Sequence, residues 1–400
     1  MPPRTVTLAL VDRQNRPLGA LALPRPVPSG FWPNVDDVVD LAREACGVDV
    51  TVLRLLSAEA PDANGGPVTY VTQYDGPLPA GLDRSAITPE WTEPQRLRLP
   101  WAQPDGPAAS LAWARQALDR PVLAARQMRT WNLSSIWRLD TAAGPVWLKE
   151  VPPFFAHEGA LLRWLHRPTT PVVLAADGPR MLLADIPGVD RFQAGGAERA
   201  GMLALLLEIQ VDTAGRLSEL LGLGVPDQRF DILRRQVEAV VDRAGHVLAD
   251  ADRRVLDGLA GGLADRFASV AECGVPDTLV HGDFHPGNVR SDGTSTVLID
   301  WGDGVLGHPV MDMLRMRDWE PGGTAPELTG MWCDFWRARV PGSDPARAVE
   351  LTAPVAGLRD AVNYQHILDS IEPTERPYHA DDVRLCLRTA VDQCRTSPGA

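Results

Sequence analysis

The chain has 400 residues, of which 44% are hydrophobic and 23% charged, with a formal net charge of −13. That length suits two or three domains with a sizeable core. The acidic balance argues against wrapping nucleic acid or lying on an anionic membrane, since both demand a basic face.

Residues 1–90 read as a small α+β unit. Val6–Val11, Leu18–Leu23, Val50–Leu55 and Val68–Gln73 carry strand patterns, and Val35–Cys46 carries a helical one that stops before Gly47. Residues 74–107 are rich in Pro, Gly and Asp and read as an irregular linker, followed by a short helix over Ala108–Leu118. Leu133–Leu139 and Pro145–Val151 alternate as strands around a turn at Ala142–Gly144. Helical spacing from Phe155 sets Leu161, Leu162 and Leu165 on one face, and a strand at Met181–Ala184 ends in Asp185-Ile186-Pro187-Gly188. Three helices are expected near 198–221, 229–249 and 251–272, and after 279–303 the chain is again mainly helical.

Five scattered cysteines without CxxC spacing fit buried thiols in a reducing cytoplasm, and no HExxH or Cys/His pattern suggests zinc. No leader pattern and no apolar run near the roughly 20 residues that span a bilayer are visible, so no membrane association is expected.

One lysine, Lys149, stands among 38 arginines. A position that keeps lysine where arginine is otherwise used needs a compact, rotatable ammonium rather than a planar fork. Lys149 sits on the strand Val146-Trp147-Leu148-Lys149, and Glu158 follows nine residues later in the first turns of the next helix. A strand lysine held by a helical glutamate fixes the α- and β-phosphates of a nucleotide. Upstream, Trp131-Asn132-Leu133-Ser134-Ser135 opens the preceding strand, and Asn132, Ser134 and Ser135 are expected over the phosphates, although the glycines of a phosphate loop are missing.

The densest signal is Leu279-Val280-His281-Gly282-Asp283-Phe284-His285-Pro286-Gly287-Asn288, then a hairpin turning at Asp292-Gly293, then Val297-Leu298-Ile299-Asp300-Trp301-Gly302. Phosphoryl transfer to a hydroxyl needs a carboxylate that orients the nucleophile and takes its proton, with oxygen ligands for magnesium beside it. Asp283 suits the first task. Asn288, five residues on, and Asp300, returned by the hairpin, suit the second. An isolated Asp in a Gly/Pro loop is ordinarily a turn residue; three oxygen ligands with a strand–turn–strand between the second and third are not explained that way.

These residues resemble the aminoglycoside phosphotransferase and choline kinase superfamily over about 125–400, with His281-Gly282-Asp283, Asn288 and Asp300-Trp301 as the most specific part. The resemblance implies an α+β, two-lobed protein-kinase-like fold, with a small β-rich N-lobe over 106–187 and a helical C-lobe over 188–400. It implies ATP and Mg2+, with Asp283 as base, Asn288 and Asp300 as metal ligands, and Lys149 with Glu158 at the phosphates. Met181–Asp185 then resembles the segment beside adenine, with backbone groups of Leu183 and Ala184 as contacts, and His281 and Asp312 brace the loop. The leading residues 1–105 are an addition. They loosely resemble a Nudix core at Arg43-Glu44 and Gly47-Val48, but with shortened spacing and without the metal-binding glutamate pair, so a non-catalytic cap or substrate-side module is expected.

Other chemistries lack residues. The lysine precedes Glu150, not Ser or Thr, so there is no Walker loop; Gly222-Leu223-Gly224 follows a helix and lacks the later glycine; no GxSxG is present. A Schiff base at Lys149 would leave Asp283, Asn288 and Asp300 without a task. The rival from another class is a catalytically silent nucleotide-binding module of kinase shape. The acceptor is expected to be a small-molecule hydroxyl on an aminoglycoside-like antibiotic, a sugar or amino sugar, or an amino alcohol. Residues 304–400 hold 14 acidic and 10 basic side chains, a mild excess that favours a cationic or neutral acceptor. Trp319, Trp332 and Trp336 are ring-stacking candidates, with Trp332 and Trp336 at i,i+4 better read as helix core. Tyr364, His366, Asp369, Glu372 and Glu375 are acceptor-contact candidates.

Overall fold

Strand β1 (Arg4–Val11) is buried on both faces: Val6, Leu8 and Leu10 enter one core, Ala9 and Val11 another. With β2 (Pro17–Ala22), β3 (Thr51–Ala58) and β4 (Gly66–Gln73) it forms a sheet in the order β2-β1-β4-β3. β1 and β4 run parallel, the other pairs antiparallel. Helix α1 (Asp36–Cys46) covers the larger core with Val38, Leu41 and Ala42, and stops at Gly47, whose φ of 68° closes the helix in the left-handed region that glycine enters freely. The computed structural model describes residues 2–59, 64–319 and 325–396, and its contacts divide the chain into two units.

The first unit comprises Met1–Gly159, Val173–Asp185 and Ile367–Ala380. Besides the N-terminal sheet and helix α2 (Gly106–Ala117) it holds an antiparallel sheet of β5 (Val122–Thr130), β6 (Ser135–Thr141), β7 (Gly144–Glu150), β8 (Val173–Asp177) and β9 (Arg180–Ala184), ordered β5-β6-β7-β9-β8. β5 and β8 are strands that hydrophobic alternation does not mark. The buried residues of β5 are the polar Gln127 and Thr130, and β8 is a half-exposed edge. Gln127 binds the backbone N–H and C=O of Val52 at 3.0 and 2.7 Å, so a side-chain amide ties β5 to β3 in place of apolar packing.

Residues 367–380 return to this unit. Tyr378 joins the first core and meets the Trp32 ring edge-on at 5.9 Å. Glu375 Oε1 accepts the Leu55 N–H at 2.7 Å, and Glu372 is gripped by Arg98 at 2.9 Å and approached by Arg54 at 3.8 Å. This corrects the expectation that Glu372 and Glu375 meet an acceptor: both are buried and brace β3 and the segment before α2.

The second unit comprises Ala160–Val172, Ile186–His366 and Asp381–Ala400. After α3 (Glu158–Leu165), which begins in the first unit, come α4 (Gly196–Thr213), α5 (Leu217–Gly222), α6 (Phe230–Ala244), α7 (Asp250–Gly261) and α8 (Leu263–Glu272). The three helices expected over 198–272 are therefore five, interrupted at 214–216, 223–229, 245–249 and Gly262. Two small sheets follow, β10 (Val189–Asp190) with β12 (Val289–Ser291) and β13 (Thr296–Leu298), and β11 (Thr278–Val280) with β14 (Val305–Gly307). Helices α9 (Val310–Asp318), α10 (Ala325–Arg339), α11 (Pro345–Ser370) and α12 (Asp382–Thr396) complete the chain. Trp332 and Trp336 are fully buried in α10, as core residues should be. Among the described residues no helix is long and apolar enough to cross a membrane.

Candidate active site

Two clusters of polar residues carry chemistry, one in each unit. In the first, β7 directs Val146 and Leu148 into the core. Lys149, paired in register with Ile136 of β6 and Met181 of β9, places its Nζ 2.7 Å from Glu158 Oε1 at the start of α3. Both side chains are buried, Glu158 with 1% of its side chain exposed. The expected strand–helix ion pair is formed.

The neighbouring loop behaves differently. Asn132 donates its amide to Glu375 O at 3.3 Å and accepts from His379 Nε2 at 3.0 Å; Ser134 Oγ accepts from Trp131 Nε1 at 3.0 Å; Ser135 opens β6 opposite Glu150. All three side chains are buried. The expectation that they cover phosphates is corrected to this extent: the three side chains turn inward, Asn132 to the returning 367–380 segment and Ser134 to Trp131. Leu183 and Ala184 lie in β9 opposite Trp147 and Val146, both half-buried, just before Asp185, which accepts from Trp147 Nε1 at 2.7 Å.

In the second unit, the loop after β11 is fastened by one carboxylate. Asp312, in the first turn of α9, accepts the N–H of His281 at 2.8 Å and of Gly282 at 2.9 Å, and Gln210 supports it at 2.9 Å. Gly282 has φ 88°, and a Cβ there would lie 2.1 Å from the Asp303 carbonyl, so no other residue fits the turn that aims Asp283. His281 is fully buried, its Nε2 donating to Ile299 O at 3.0 Å. The bracing roles expected of His281 and Asp312 are the contacts they make.

Asp283 itself is crowded with donors. Oδ1 accepts Nε and Nη2 of Arg315, on α9, at 2.9 and 2.8 Å. Oδ2 accepts Asn288 Nδ2 at 3.0 Å and lies 3.4 Å from His285 Nε2. Burial works to raise the pKa of Asp283, but the His285 hydrogen bond and the Arg315 charge overcome it and hold the carboxylate far below its ordinary range. Asp303, half-buried beside it, is pushed the other way, to about 7, by desolvation and by the charge of Asp283.

Asn288 Nδ2 also donates to Asp283 O at 2.9 Å. With its nitrogen committed to two acceptors, its oxygen is the atom left for a cation. The backbone N–H of Ile299 donates to Asn288 O at 2.9 Å, so the β12–β13 hairpin brings Asp300 next to Asn288. Asp300 is exposed and has φ 66°, a left-handed conformation costly for a non-glycine residue and concentrated at functional positions. An amide oxygen and a carboxylate match the hard-oxygen preference of Mg2+, which keeps waters and phosphate oxygens for its other positions. Among the described residues no group of three His, Cys, Asp or Glu side chains forms a metal cluster.

Sequence reasoning missed the side chain that grips Asp283, Arg315. Arg315 lies three residues after Asp312, on the same helical face, and that spacing was the available signal. Trp319, one turn further, stacks on His285 with ring centroids 4.3 Å apart, and Phe192 lies 5.8 Å from Trp319.

A family model described as "Phosphotransferase enzyme family" matches residues 131–348. No curated protein matches the sequence. Among solved structures the chain is similar to macrolide 2'-phosphotransferase from Brachybacterium faecium, at 18% identity and a TM-score of 0.51, covering 69% of this chain and 97% of that one. It is also similar to an ethanolamine kinase of Plasmodium vivax, at 9% identity and a TM-score of 0.52, covering 70% of this chain and 86% of that one. These likenesses show the protein-kinase-like fold.

Proposed function

The chain belongs to the phosphotransferase enzyme family, as a kinase of small-molecule hydroxyl groups, and we propose that it moves the γ-phosphoryl group of ATP, with Mg2+, to a hydroxyl of an aminoglycoside-like antibiotic, a sugar or an amino sugar. The observation that carries this reading is the hairpin-built set of Asp283, Asn288 and Asp300 on one braced loop. Asn288 Oδ1 and the Asp300 carboxylate are the groups that would hold Mg2+, which when bound neutralises charge on the phosphate oxygens. Lys149, oriented by Glu158, binds the α- and β-phosphates, and backbone groups of Leu183 and Ala184 meet the base. Asp283 orients the acceptor hydroxyl and takes its proton. The hydroxyl oxygen bonds to the γ-phosphorus as the bond to the bridging oxygen breaks and ADP leaves. Five free cysteine thiols support a cytoplasmic setting.

The test is a labelled-phosphate transfer screen with Mg-ATP and Mg-GTP against sugars, amino sugars, aminoglycosides, macrolides and amino alcohols. Transfer to any member supports the reading and names the acceptor class. No transfer, together with no magnesium-dependent nucleotide binding, removes it; binding without turnover favours a silent module of the same fold.

A further inference from the structure

A carboxylate offers about four lone-pair positions. At Asp283 three are filled by hydrogen bonds from protein donors and the fourth is faced by another. Arg315 takes both positions on Oδ1 with Nε and Nη2. Asn288 Nδ2 takes one on Oδ2. The last faces His285: because His285 Nδ1 accepts the Gly287 N–H at 3.0 Å, its proton resides on Nε2, which points to Asp283 Oδ2 at 3.4 Å. An acceptor hydroxyl is oriented by donating to this carboxylate, and at Oδ1 it can do so only if Arg315 yields.

The three donors are not equally fixed. Asn288 is bound twice to Asp283, through the carboxylate and the backbone carbonyl. His285 is held by Gly287 and stacked on Trp319 with the rings 11° from parallel. Arg315 comes from a separate element, α9, on a long side chain with several rotatable bonds. It also has somewhere to go. Asp360 and Tyr364 act on its charge alongside Asp283, and its guanidinium already lies 5.7 Å from the centre of the Trp319 ring.

We propose that Arg315 is a gate on Asp283: before an acceptor binds it fills the lone-pair positions of Oδ1, and the acceptor hydroxyl must displace it to be oriented for transfer. The proposal rests on the phosphotransferase reading and adds a positioning residue to it. Its chemical consequence concerns water, the smallest competing acceptor. Water attack would form an oxygen–γ-phosphorus bond, break the bond to the bridging oxygen, release ADP and send a proton to Asp283 Oδ1. With Oδ1 occupied, water is not oriented and nucleotide is not wasted.

The experiment measures acceptor-free Mg-ATP hydrolysis and Mg-ATP affinity by calorimetry on the full chain. The wild type, Arg315→Ala, Arg315→Lys and the double variant Arg315→Ala/Asp283→Asn are compared. Arg315→Ala is expected to hydrolyse ATP about tenfold faster, a modest part of what a positioned carboxylate contributes, with unchanged nucleotide affinity. The double variant returns to the wild-type rate or below. Arg315→Lys, whose single ammonium covers one lone pair, rises by a smaller factor. A purely structural arginine would lower stability and rate together. Nucleotide binding with no faster hydrolysis in Arg315→Ala overturns the gate alone. If that variant does not fold, an unchanged rate in Arg315→Lys overturns it. Absence of Mg-ATP binding by the wild type removes the phosphotransferase reading and the gate with it.

Discussion

Lys149 Nζ and Glu158 Oε1 meet at 2.7 Å inside the first unit, the lysine side chain 10% exposed and the glutamate 1%. Such a buried pair is poor evidence for stability, because desolvation offsets most of the attraction. Its retention in a chain with 38 arginines and one lysine points to chemistry. Lys149→Arg should fold but lose about tenfold or more in kcat/KM, since a planar fork cannot act as a point charge between phosphates and glutamate. Steady-state kinetics with a saturating acceptor checks this, and a fully active variant would show that the ammonium is not required.

Asp283→Asn removes the proposed proton acceptor and orienter but keeps the loop bracing through Asp312. Turnover should fall by about 100-fold or more, with nucleotide affinity within about twofold of wild type. Parallel calorimetry and rate measurements separate the two effects. An equal loss in both would mean that Asp283 serves binding rather than transfer.

Asp300→Ala should weaken nucleotide binding in the presence of Mg2+ and leave the weaker, magnesium-free binding unchanged. Titrations with and without a chelator make the comparison. Identical magnesium dependence in wild type and variant would take Asp300 out of the ligand set.

Glu375 gives a pH prediction. Burial, reinforced by the charge of Glu372, raises its pKa from 4.5 to about 8. Between those values the folded chain holds a proton that the unfolded chain has lost. Stability therefore falls as pH rises through that window and levels off above it, by up to about 1.4 kcal/mol per pH unit from this group. Glu375→Gln can keep the Leu55 hydrogen bond while removing the titration. Denaturant melts from pH 5 to 9 should show a flatter profile and a more stable variant at the alkaline end; superimposable profiles would contradict the assignment.

Glu372→Ala should destabilise the first unit by about 3 kcal/mol or more, because it strands two buried guanidiniums, Arg54 and Arg98. Chemical denaturation monitored by tryptophan fluorescence reads this directly. A loss within about 0.5 kcal/mol would place the pair among interactions that desolvation cancels.

The residues legible in the sequence are those whose partners lie at short, regular spacings. Lys149 and Glu158 are nine apart, Asp283 and Asn288 five, and the hairpin to Asp300 announces itself at Asp292-Gly293. The N-terminal strands are legible too, through their apolar runs. Contacts made across long stretches of chain are not. Arg315 reaches back 32 residues to Asp283, and its one local mark is the spacing of three from Asp312. β5 hides because Gln127 does by hydrogen bonding what alternating apolar residues would otherwise signal. The inward turn of Asn132 depends on Glu375 and His379, more than 240 residues later. Polar residues in a loop look the same whether they face a ligand or another part of the chain.

The docking of residues 367–380 onto β3 and Trp32 also sets an order of events during synthesis. The N-terminal sheet leaves the ribosome before residues 367–380, so its core lacks Tyr378, and Arg54 of β3 lacks Glu372, until that later segment has been made. A segment made early is thus completed late. Until then it must persist as a partly packed intermediate that exposes Arg54 and the vacant side of β3 to chaperones and proteases.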